Sequence, residues 1–207
     1  MDNNDKINFD LLSKYISEND VLVDVGANSG IYTDFFIKCN NNVGKVYTIE
    51  LHPNTYNILT KKYKNNTNII VENYGVSDFN GEAEFYLGCN SFTHNIIGHD
   101  MNFNRNNVGG SIKTITLDEL LKNETKIRVI KIDVEGAELK VLKGMVNTIH
   151  KVDYILLECH LDKDWVEIRD LLLNTYGLFG VNISTMNPIT NNSDRPYQLF
   201  IKTRENL

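Results

Sequence analysis

Two acidic residues and two glycines in the N-terminal part of the chain have the types and spacing of a nucleotide-binding turn. Asp24 lies near the end of the apolar stretch VLVDV, Gly26 follows it, and Gly30 opens the next helical stretch. Glycine permits a sharp turn, and free amide groups at a helix N-terminus attract an anion. Glu50 ends the following strand-like stretch, where an acidic side chain accepts hydrogen bonds from ribose hydroxyls. Together these residues predict a site for a nucleoside with an anionic tail.

Two classes of ligand fit this site. The dinucleotide fingerprint is G-x-G-x-x-G, whereas this turn reads G-A-N-S-G, so that Asn28 replaces the glycine that lets a pyrophosphate approach. S-adenosylmethionine needs a carboxylate near its ammonium group, room for its own carboxylate and a ribose clamp, which Asp24, the turn and Glu50 supply. NAD is therefore the weaker fit. A tight turn with an acidic residue nearby by chance would explain either the turn with Asp24 or the strand end with Glu50. It explains the two together poorly.

Four more ionisable residues lie at the ends of two later strands. Two pairs each share one face of a strand, because the members of a pair are two residues apart. The pairs are Lys131 with Asp133 in IKIDVEG, and Glu158 with His160 in LLECH. Ligands of open parallel sheets bind beyond the carboxyl ends of the strands. The sequence therefore predicts a catalytic corner. The alternatives are a structural ion-pair cluster and, for Asp133, the N-cap of a helix with Glu135 in its first turn.

The elements that position these residues alternate along the chain. β-Branched and aliphatic segments alternate with amphipathic ones, which predicts a parallel sheet with helices on both faces. The segment TMNPITNNSDRP has no helical period, so the two strands that it joins are expected to be antiparallel. The predicted α/β fold is the Rossmann-like class I methyltransferase layout, a seven-stranded, mostly parallel sheet with the last strand antiparallel. Strands are expected at 21–25, 45–50, 68–72, 128–133, 153–158, 178–184 and 197–203, and helices at about 8–17, 30–39, 53–64, 135–150 and 163–175.

The segment from about 81 to 115 interrupts this alternation. Two strand-like stretches, GEAEFYLG and SIKTITL, flank an Asn-rich stretch that has no hydrophobic period. Long irregular loops in compact domains are commonly functional lids or disordered segments. We interpret this segment as two inserted strands with a substrate-facing lid; a plain flexible loop is the alternative.

Composition limits the class of protein. A chain of 207 residues is expected to form a single domain over 1–207. The alternative is that this domain is a catalytic domain cut from a longer polypeptide. A net charge of −6 argues against nucleic acid as a partner. No apolar run approaches the ~20 residues of a membrane span. Three widely spaced cysteines favour neither a disulfide framework nor a zinc site, so a reducing, cytoplasmic location is expected.

Several motifs in order along the chain resemble one family. The chain is similar to FkbM-type S-adenosylmethionine-dependent methyltransferases, and the region after residue 160 and the lid are not matched in detail. Such proteins often carry more sequence before the first strand, whereas only 20 residues precede it here. The motifs are VDVGANSGIYT (23–33), IELHPNTYNIL (49–59), YGVSDFNGEAEF (74–85), TLDEL (116–120), IKIDVEGAELKVLKGM (130–145) and ILLECH (155–160).

The resemblance implies S-adenosylmethionine as cofactor and assigns residues to its parts. Its methionine part would be cradled by Asp24, Gly26, Asn28 and Gly30, and its ribose would be held by Glu50. The adenine would lie against Leu51, Gly75, Val76 and Ser77, although Gly75 and Ser77 are equally well explained as turn residues. Asp133 would border the cofactor as well as the acceptor.

Methyl transfer from a sulfonium is an in-line displacement, so alignment of the acceptor supplies much of the acceleration. An alcohol reacts well only as its proton leaves. His160 titrates nearest neutral pH and is the first candidate for general base, oriented by Glu158 or Asp133. In a rival arrangement Asp133, Glu158 and His160 hold a divalent Mg²⁺ or Mn²⁺ ion that acidifies a sugar diol. We favour the arrangement without a metal.

The resemblance also implies an acceptor, because the family mostly methylates hydroxyl groups of sugars, polysaccharides and other natural products. A sugar unit of a glycan or glycoside, such as the deoxyhexose rhamnose, is the expected acceptor. A nicotinamide-dependent oxidoreductase and a non-catalytic cofactor-binding module are the alternatives. His94 and His99 are too loosely placed to predict metal ligation, though either could touch substrate. Lid residues suited to hydroxyls or a pyranose ring are Tyr86, Asn90, Phe92, Asn95, Asn102, Asn104 and Arg105.

Overall fold

The structure is a computed structural model, and it describes residues 3–87, 96 and 108–202. None of the helices in these ranges combines the length and the apolar composition that crossing a bilayer requires. The helices are α1 (Asn3–Leu12), α2 (Ile31–Cys39), α3 (Pro53–Tyr63), α4 (Leu117–Leu120), α5 (Glu138–Lys143) and α6 (Asp162–Asp170), with a 3₁₀ turn at Thr148–Lys151 and a π turn at Leu171–Thr175. The strands are β1 (Leu22–Val25), β2 (Val46–Ile49), β3 (Ile69–Glu72), β4 (Gly75–Val76), β5 (Gly81–Tyr86), β6 (Val108–Ile115), β7 (Ile127–Ile132), β8 (Val152–Glu158), β9 (Phe179–Asn182) and β10 (Gln198–Lys202).

Seven of the strands form one mixed sheet in the order β3-β2-β1-β7-β8-β10-β9. Neighbouring strands of this sheet pair in parallel except at β10, which runs antiparallel to both β8 and β9. Side chains of β1 alternate between two apolar clusters, with Val23 and Val25 in one and Leu22 in the other. The first cluster includes residues of α5 and α6, and the second includes residues of α1 and α2. The predicted fold, including the antiparallel last strand, is confirmed.

Two predicted helices have different bounds in the structure. Helix α1 begins and ends five residues earlier than predicted. Helix α5 begins at Glu138 because Glu135 and Gly136 have φ angles of 54° and 102°, which a right-handed helix cannot contain. Its N-cap is Ala137, so the alternative interpretation of Asp133 as the N-cap is wrong. Residues 133–137 instead form a turn between the end of β7 and α5.

The segment from 81 to 115 contains the two predicted strands. Strand β6 pairs with β5 antiparallel and with β4 parallel, which makes a separate three-stranded sheet. Tyr86 lies in β5, where its hydroxyl donates to Glu84 Oε2 at 3.3 Å. The rest of the predicted lid, residues 88–95 and 97–107, lies outside the described residues. Predicted substrate-contacting residues in those ranges are Asn90, Phe92, His94, Asn95, His99, Asn102, Asn104 and Arg105.

The turn after β1 is packed directly against the end of β7. The amide groups of Gly26 and Ala27 both donate to Ile49 O at 3.0 Å, and Asp133 N donates to Val25 O at 3.2 Å. Gly26 has a φ angle of 76°, and a Cβ atom there would lie 1.8 Å from the carbonyl oxygen of Asp133. Glycine is therefore required at position 26 for two reasons, its backbone conformation and its close contact with β7.

A comparison of two glycines separates these reasons. Gly177 also has a positive φ, of 64°, but a Cβ atom added there would have no neighbour within 4 Å. We expect Gly177→Ala to lower the free energy of unfolding by ~1 kcal/mol, the usual cost of the left-handed conformation. Gly26→Ala should cost at least ~3 kcal/mol because the backbone of β7 must also shift. Urea unfolding followed by circular dichroism measures both, and equal losses would contradict the close-contact argument.

Candidate functional site

Two open clefts adjoin at the carboxyl ends of the central strands. The first spans about 580 Å³, including the open solvent at its mouth, and lies between the ends of β1, β2, β4 and β7. The second has a volume of about 880 Å³ and lies between the turn after β1, α2 and the ends of β7 and β8. Gly26, Asn28 and Asp133 line both clefts. A ligand in the first cleft can therefore touch one in the second beside these three residues.

Glu50 lines the first cleft and is tied to the turn after β1. Its Oε2 accepts from Asn28 N at 2.8 Å, and its Oε1 accepts from His52 N at 2.8 Å. Burial raises the pKa of Glu50 above its ordinary value, and the two amide donors oppose this shift. Each carboxylate oxygen has a second lone pair, so Glu50 can still accept hydrogen bonds from a ligand. Glu50 thus follows β2 and lines the first cleft, and its binding of ribose stays a prediction.

Asp24 lies beneath the turn and does not line either cleft. It is fully buried, its Oδ2 accepts from Thr33 Oγ1 at 2.7 Å, and its Oδ1 has no hydrogen-bond partner among the described residues. The ammonium Nζ of Lys131 is 3.5 Å from that Oδ1. In this arrangement Asp24 would act on a bound ligand through the turn and Lys131 rather than by direct contact.

The predicted adenine-contacting residues divide into two groups. Leu51, Gly75 and Val76 line the first cleft together with Ile96. Ser77 is fully buried beyond the cleft, where its carbonyl oxygen would lie 2.1 Å from a Cβ at Gly144. Ser77 therefore packs against the end of α5.

Gly30 does not line either cleft. It has a φ angle of 80°, and a Cβ there would lie 2.4 Å from the hydroxyl of Tyr63. The close contact with Tyr63 therefore explains the glycine at position 30 by packing, independently of any ligand.

Lys131 is the central cation of the site. Its Nζ donates to Gly26 O at 2.8 Å and lies 3.3 Å from Asp133 Oδ2. It also lies 5.2 Å from the ring centroid of Tyr32. Burial alone would lower the Lys131 pKa, but the carboxylates of Asp133, Asp24 and Glu158 outweigh it and raise the pKa. Lys131 thus stays protonated and links β7 to the turn after β1.

His160 is surrounded by carboxylates, as the strand ends predicted. Its Nε2 lies 3.7 Å from Asp133 Oδ1, 3.6 Å from Glu135 Oε2 and 3.5 Å from Glu158 Oε1. Its Nδ1 is 2.8 Å from Glu138 Oε1. The predicted corner did not include Glu135 and Glu138. Glu135 lies in the turn before α5, and Glu138 is the first residue of α5. Their acidic spacing in VEGAE was visible in the sequence, but the left-handed turn that aims them at His160 was not.

These neighbours change the protonation of the corner. Burial alone would lower the His160 pKa, but the hydrogen bond and charge of Glu138, with Asp133 and Glu135, raise it to about 9. Burial raises the pKa of Glu135 to about 7, and burial followed by the charge of Asp133 raises that of Glu158. In the protein without ligands, His160 is therefore mainly an imidazolium at neutral pH. This weighs against the predicted role of His160 as general base.

A hydrogen-bonded wall that the sequence did not predict borders the second cleft. The hydroxyl of Tyr32 accepts from Asn8 Nδ2 at 2.7 Å, and the same Asn8 nitrogen donates to Gln198 Oε1 at 3.3 Å. Gln198 Nε2 in turn donates to Glu158 Oε2 at 3.2 Å. Helix α1 is thereby connected to the carboxylate at the end of β8. Residues so distant in sequence leave no local signal of this contact.

The sheet order and the paired clefts at its carboxyl edge define a Rossmann-like methyltransferase domain. The family model described as the methyltransferase FkbM domain matches residues 24–177. The chain belongs to this family. The predicted resemblance is confirmed.

The most informative curated relative is described as hexuronic acid methyltransferase AglP of Haloferax volcanii. It is 33% identical over 170 residues, which are 78% of this chain and 65% of AglP. The match thus spans slightly less than two thirds of the relative's length.

Solved structures share the fold at lower identity. Methyltransferase FkbM from Methylobacillus flagellatus KT is 18% identical with a TM-score of 0.58, covering 90% of this chain and 44% of that one. Fibrillarin from Aeropyrum pernix, a complex with natively bound S-adenosyl-L-methionine, is 15% identical with a TM-score of 0.51. That match covers 95% of this chain and 74% of fibrillarin.

A double-mutant cycle tests whether Lys131 and Asp24 stabilise each other. Lys131→Met leaves a fully buried carboxylate without its cation, so we expect it to lower the free energy of unfolding by ~3–5 kcal/mol. Asp24→Asn combined with Lys131→Met should cost less than the sum of the single losses by at least ~1 kcal/mol. The exposed pair of Lys122 and Glu119 is the control, with an expected coupling below ~1 kcal/mol. Additive losses for Lys131 and Asp24 in denaturant unfolding would contradict the coupling.

Proposed function

We propose that the chain is an S-adenosylmethionine-dependent O-methyltransferase that acts on a sugar hydroxyl of a glycan or glycoside. The observation that carries this proposal is the junction of the two clefts at Asp133, where a cofactor in one meets an acceptor in the other. Family membership supports methyl transfer, and the description of AglP supports a sugar acceptor. A deoxyhexose such as rhamnose remains our favoured acceptor.

The first cleft offers side chains whose chemistry suits an adenosyl group. Glu50 offers carboxylate oxygens, and Leu51, Val76 and Ile96 offer apolar surface for a base. Glycine at position 75 leaves space between two side chains that line the cleft, since a Cβ there would lie 3.1 Å from Ile96 Cγ2 and 3.4 Å from Leu51 Cδ1. The methionine part would extend past Gly26 and Asn28 toward the second cleft.

Bound S-adenosylmethionine supplies an electrophilic methyl group on sulfur. The acceptor oxygen forms the new O–C bond as the C–S bond breaks, and the hydroxyl proton must leave to a base. We assign that proton to the carboxylate of Asp133, because it is the carboxylate that lines both clefts and its side chain is 28% exposed. Lys131 holds Asp133 in place, and the walls of the second cleft align the acceptor.

Cofactor affinity is expected to depend on Glu50. Glu50→Gln retains the size of the side chain but removes its charge, so we expect ~10–100-fold weaker binding of S-adenosylhomocysteine, which corresponds to the value of a charged hydrogen bond. Glu72→Gln is the matched control, because Glu72 ends the neighbouring strand β3 outside the lining of the cleft. Isothermal titration calorimetry measures both affinities. Equal affinities of the Glu50 variant and wild type would contradict the ribose-binding role.

The same ligand tests the cofactor class. S-adenosylhomocysteine should raise the thermal unfolding midpoint of the wild-type protein, because a ligand bound only to the native state stabilises it. NAD should leave the midpoint unchanged. A midpoint raised by NAD and not by S-adenosylhomocysteine would refute the proposed function in favour of a nicotinamide-dependent oxidoreductase.

Turnover is expected to depend on Asp133. Asp133→Asn should lower the rate of methyl transfer by ~10²–10⁴-fold, the usual contribution of a general base, with affinity for S-adenosylhomocysteine nearly unchanged. The exposed Asp170→Asn serves as control. The assay is mass-spectrometric detection of methyl gain over a panel of neutral and acidic glycosides. Wild-type rates in the Asp133 variant would exclude this carboxylate as the base, and no methyl gain on any sugar would refute the sugar acceptor.

A further inference from the structure

His160 points its ring nitrogen Nε2 at a group of carboxylate oxygens. Its side chain is 10% exposed, and oxygens of Asp133, Glu135 and Glu158 lie 3.5–3.7 Å from Nε2. These separations exceed the usual length of a hydrogen bond, and among the described residues the hydrogen bond of the ring is made by Nδ1 alone. Nε2 is thus directed at three carboxylates without being hydrogen-bonded to any of them.

The separations match those between ligand atoms of one cation. Two donors that each lie ~2.2–2.4 Å from an ion, at angles of ~90–110° to one another, are ~3.1–3.9 Å apart. One donor atom each from Asp133, Glu158 and His160 can be chosen so that all three lie within 4.8 Å of one another. A small shift of the side chains around an ion therefore suffices to make a site.

Glu138 fixes the ring in the orientation that such a site needs. It is nearly fully buried, with a side chain that is 2% exposed, and its Oε1 accepts from Gly136 N at 3.0 Å as well as contacting His160 Nδ1 at 2.8 Å. A carboxylate that accepts a hydrogen bond from Nδ1–H keeps that proton on Nδ1, so an ion that binds at Nε2 displaces the Nε2 proton of the imidazolium and takes up the lone pair. This is the outer-shell arrangement typical of metal-binding histidines.

The balance of charge at this corner also favours a cation. Carboxylates of Asp133, Glu135, Glu138 and Glu158 converge on one imidazole, and Lys131 also lies within 4 Å of Asp133. Lys131 is already engaged with Gly26 O and Asp24. Unpaired charge in a partly buried site is costly, and a divalent ion would neutralise it.

We propose that Asp133, Glu158 and His160 bind a divalent cation of the Mg²⁺ or Mn²⁺ class, with Glu135 beside it and Glu138 as the positioning residue for His160. The carboxylate oxygens suit both ions, and the imidazole nitrogen favours Mn²⁺ over Mg²⁺ because Mg²⁺ binds oxygen ligands almost exclusively. Asp133 and Glu158 line the second cleft, so the ion lies where an acceptor's oxygen atoms can complete its coordination. That last step rests on the proposed function, whereas binding of the ion by the free protein does not. The preference for a metal-free corner is thereby reversed.

The test uses the full chain, stripped with EDTA, exchanged into chelator-free buffer and titrated with MnCl₂. Electron paramagnetic resonance of free Mn²⁺ should reveal one bound ion per chain. Electron spin echo modulation should contain a ¹⁴N coupling from His160, which carboxylates alone cannot produce. His160→Gln should abolish that coupling, and Glu158→Gln should weaken Mn²⁺ binding at least tenfold. His150→Gln, at an exposed histidine, should change neither.

Folding of each variant is checked by thermal unfolding in the absence of Mn²⁺. The proposal is overturned if folded wild-type protein binds no Mn²⁺, if the ¹⁴N coupling persists in His160→Gln, or if Glu158→Gln binds Mn²⁺ as tightly as wild type. Binding of S-adenosylhomocysteine without Mn²⁺ binding would refute the ion site and leave the proposed function standing. Mn²⁺ binding without any S-adenosylhomocysteine binding would support the ion site and refute the proposed function.

Discussion

The close contact between the turn after β1 and the end of β7 is the constraint on which the site depends. The missing Cβ of Gly26 leaves room for the carbonyl oxygen of Asp133, and Lys131 Nζ binds the carbonyl oxygen of Gly26 at 2.8 Å. Because both contacts join the turn to the neighbouring strand, they fix the position of the turn that borders both clefts. In the proposed function, the cofactor and the acceptor meet at Asp133, beside this turn.

The negative charge of the site also follows from the arrangement of the strands. Parallel strands end at one edge, so the acidic residues after β7 and β8 accumulate there with few cations among them. Lys131 compensates those on the side of the turn, and His160 compensates those on the side of α5. The raised pKa of His160, to about 9, reflects the surrounding carboxylates more than any catalytic tuning of the ring. A divalent ion is an alternative way to satisfy the same carboxylates, and an acceptor oxygen could reach it.

Much of the fold was predictable because strand patterns are local. The segments VLVDV, KVYTIE and RVIKID predict strands without tertiary information, and the segment without helical period predicts the antiparallel pair. The predicted corner of Lys131, Asp133, Glu158 and His160 follows from strand ends in neighbouring strands. The features that the sequence did not predict depend on backbone angles and distant contacts. Glu135 and Glu138 face His160 because of two successive positive φ angles, and Asp24 and Ser77 are turned into the protein by their packing.

A crystal structure of the protein with S-adenosylhomocysteine tests the central claim most directly, namely that the first cleft holds the methyl donor and directs its sulfur atom at the second cleft beside Asp133. The account predicts the adenosyl group in the first cleft with its ribose on Glu50, and the sulfur atom directed at the second cleft. Density for the ligand elsewhere, or a Glu50 side chain turned away from it, would contradict the account.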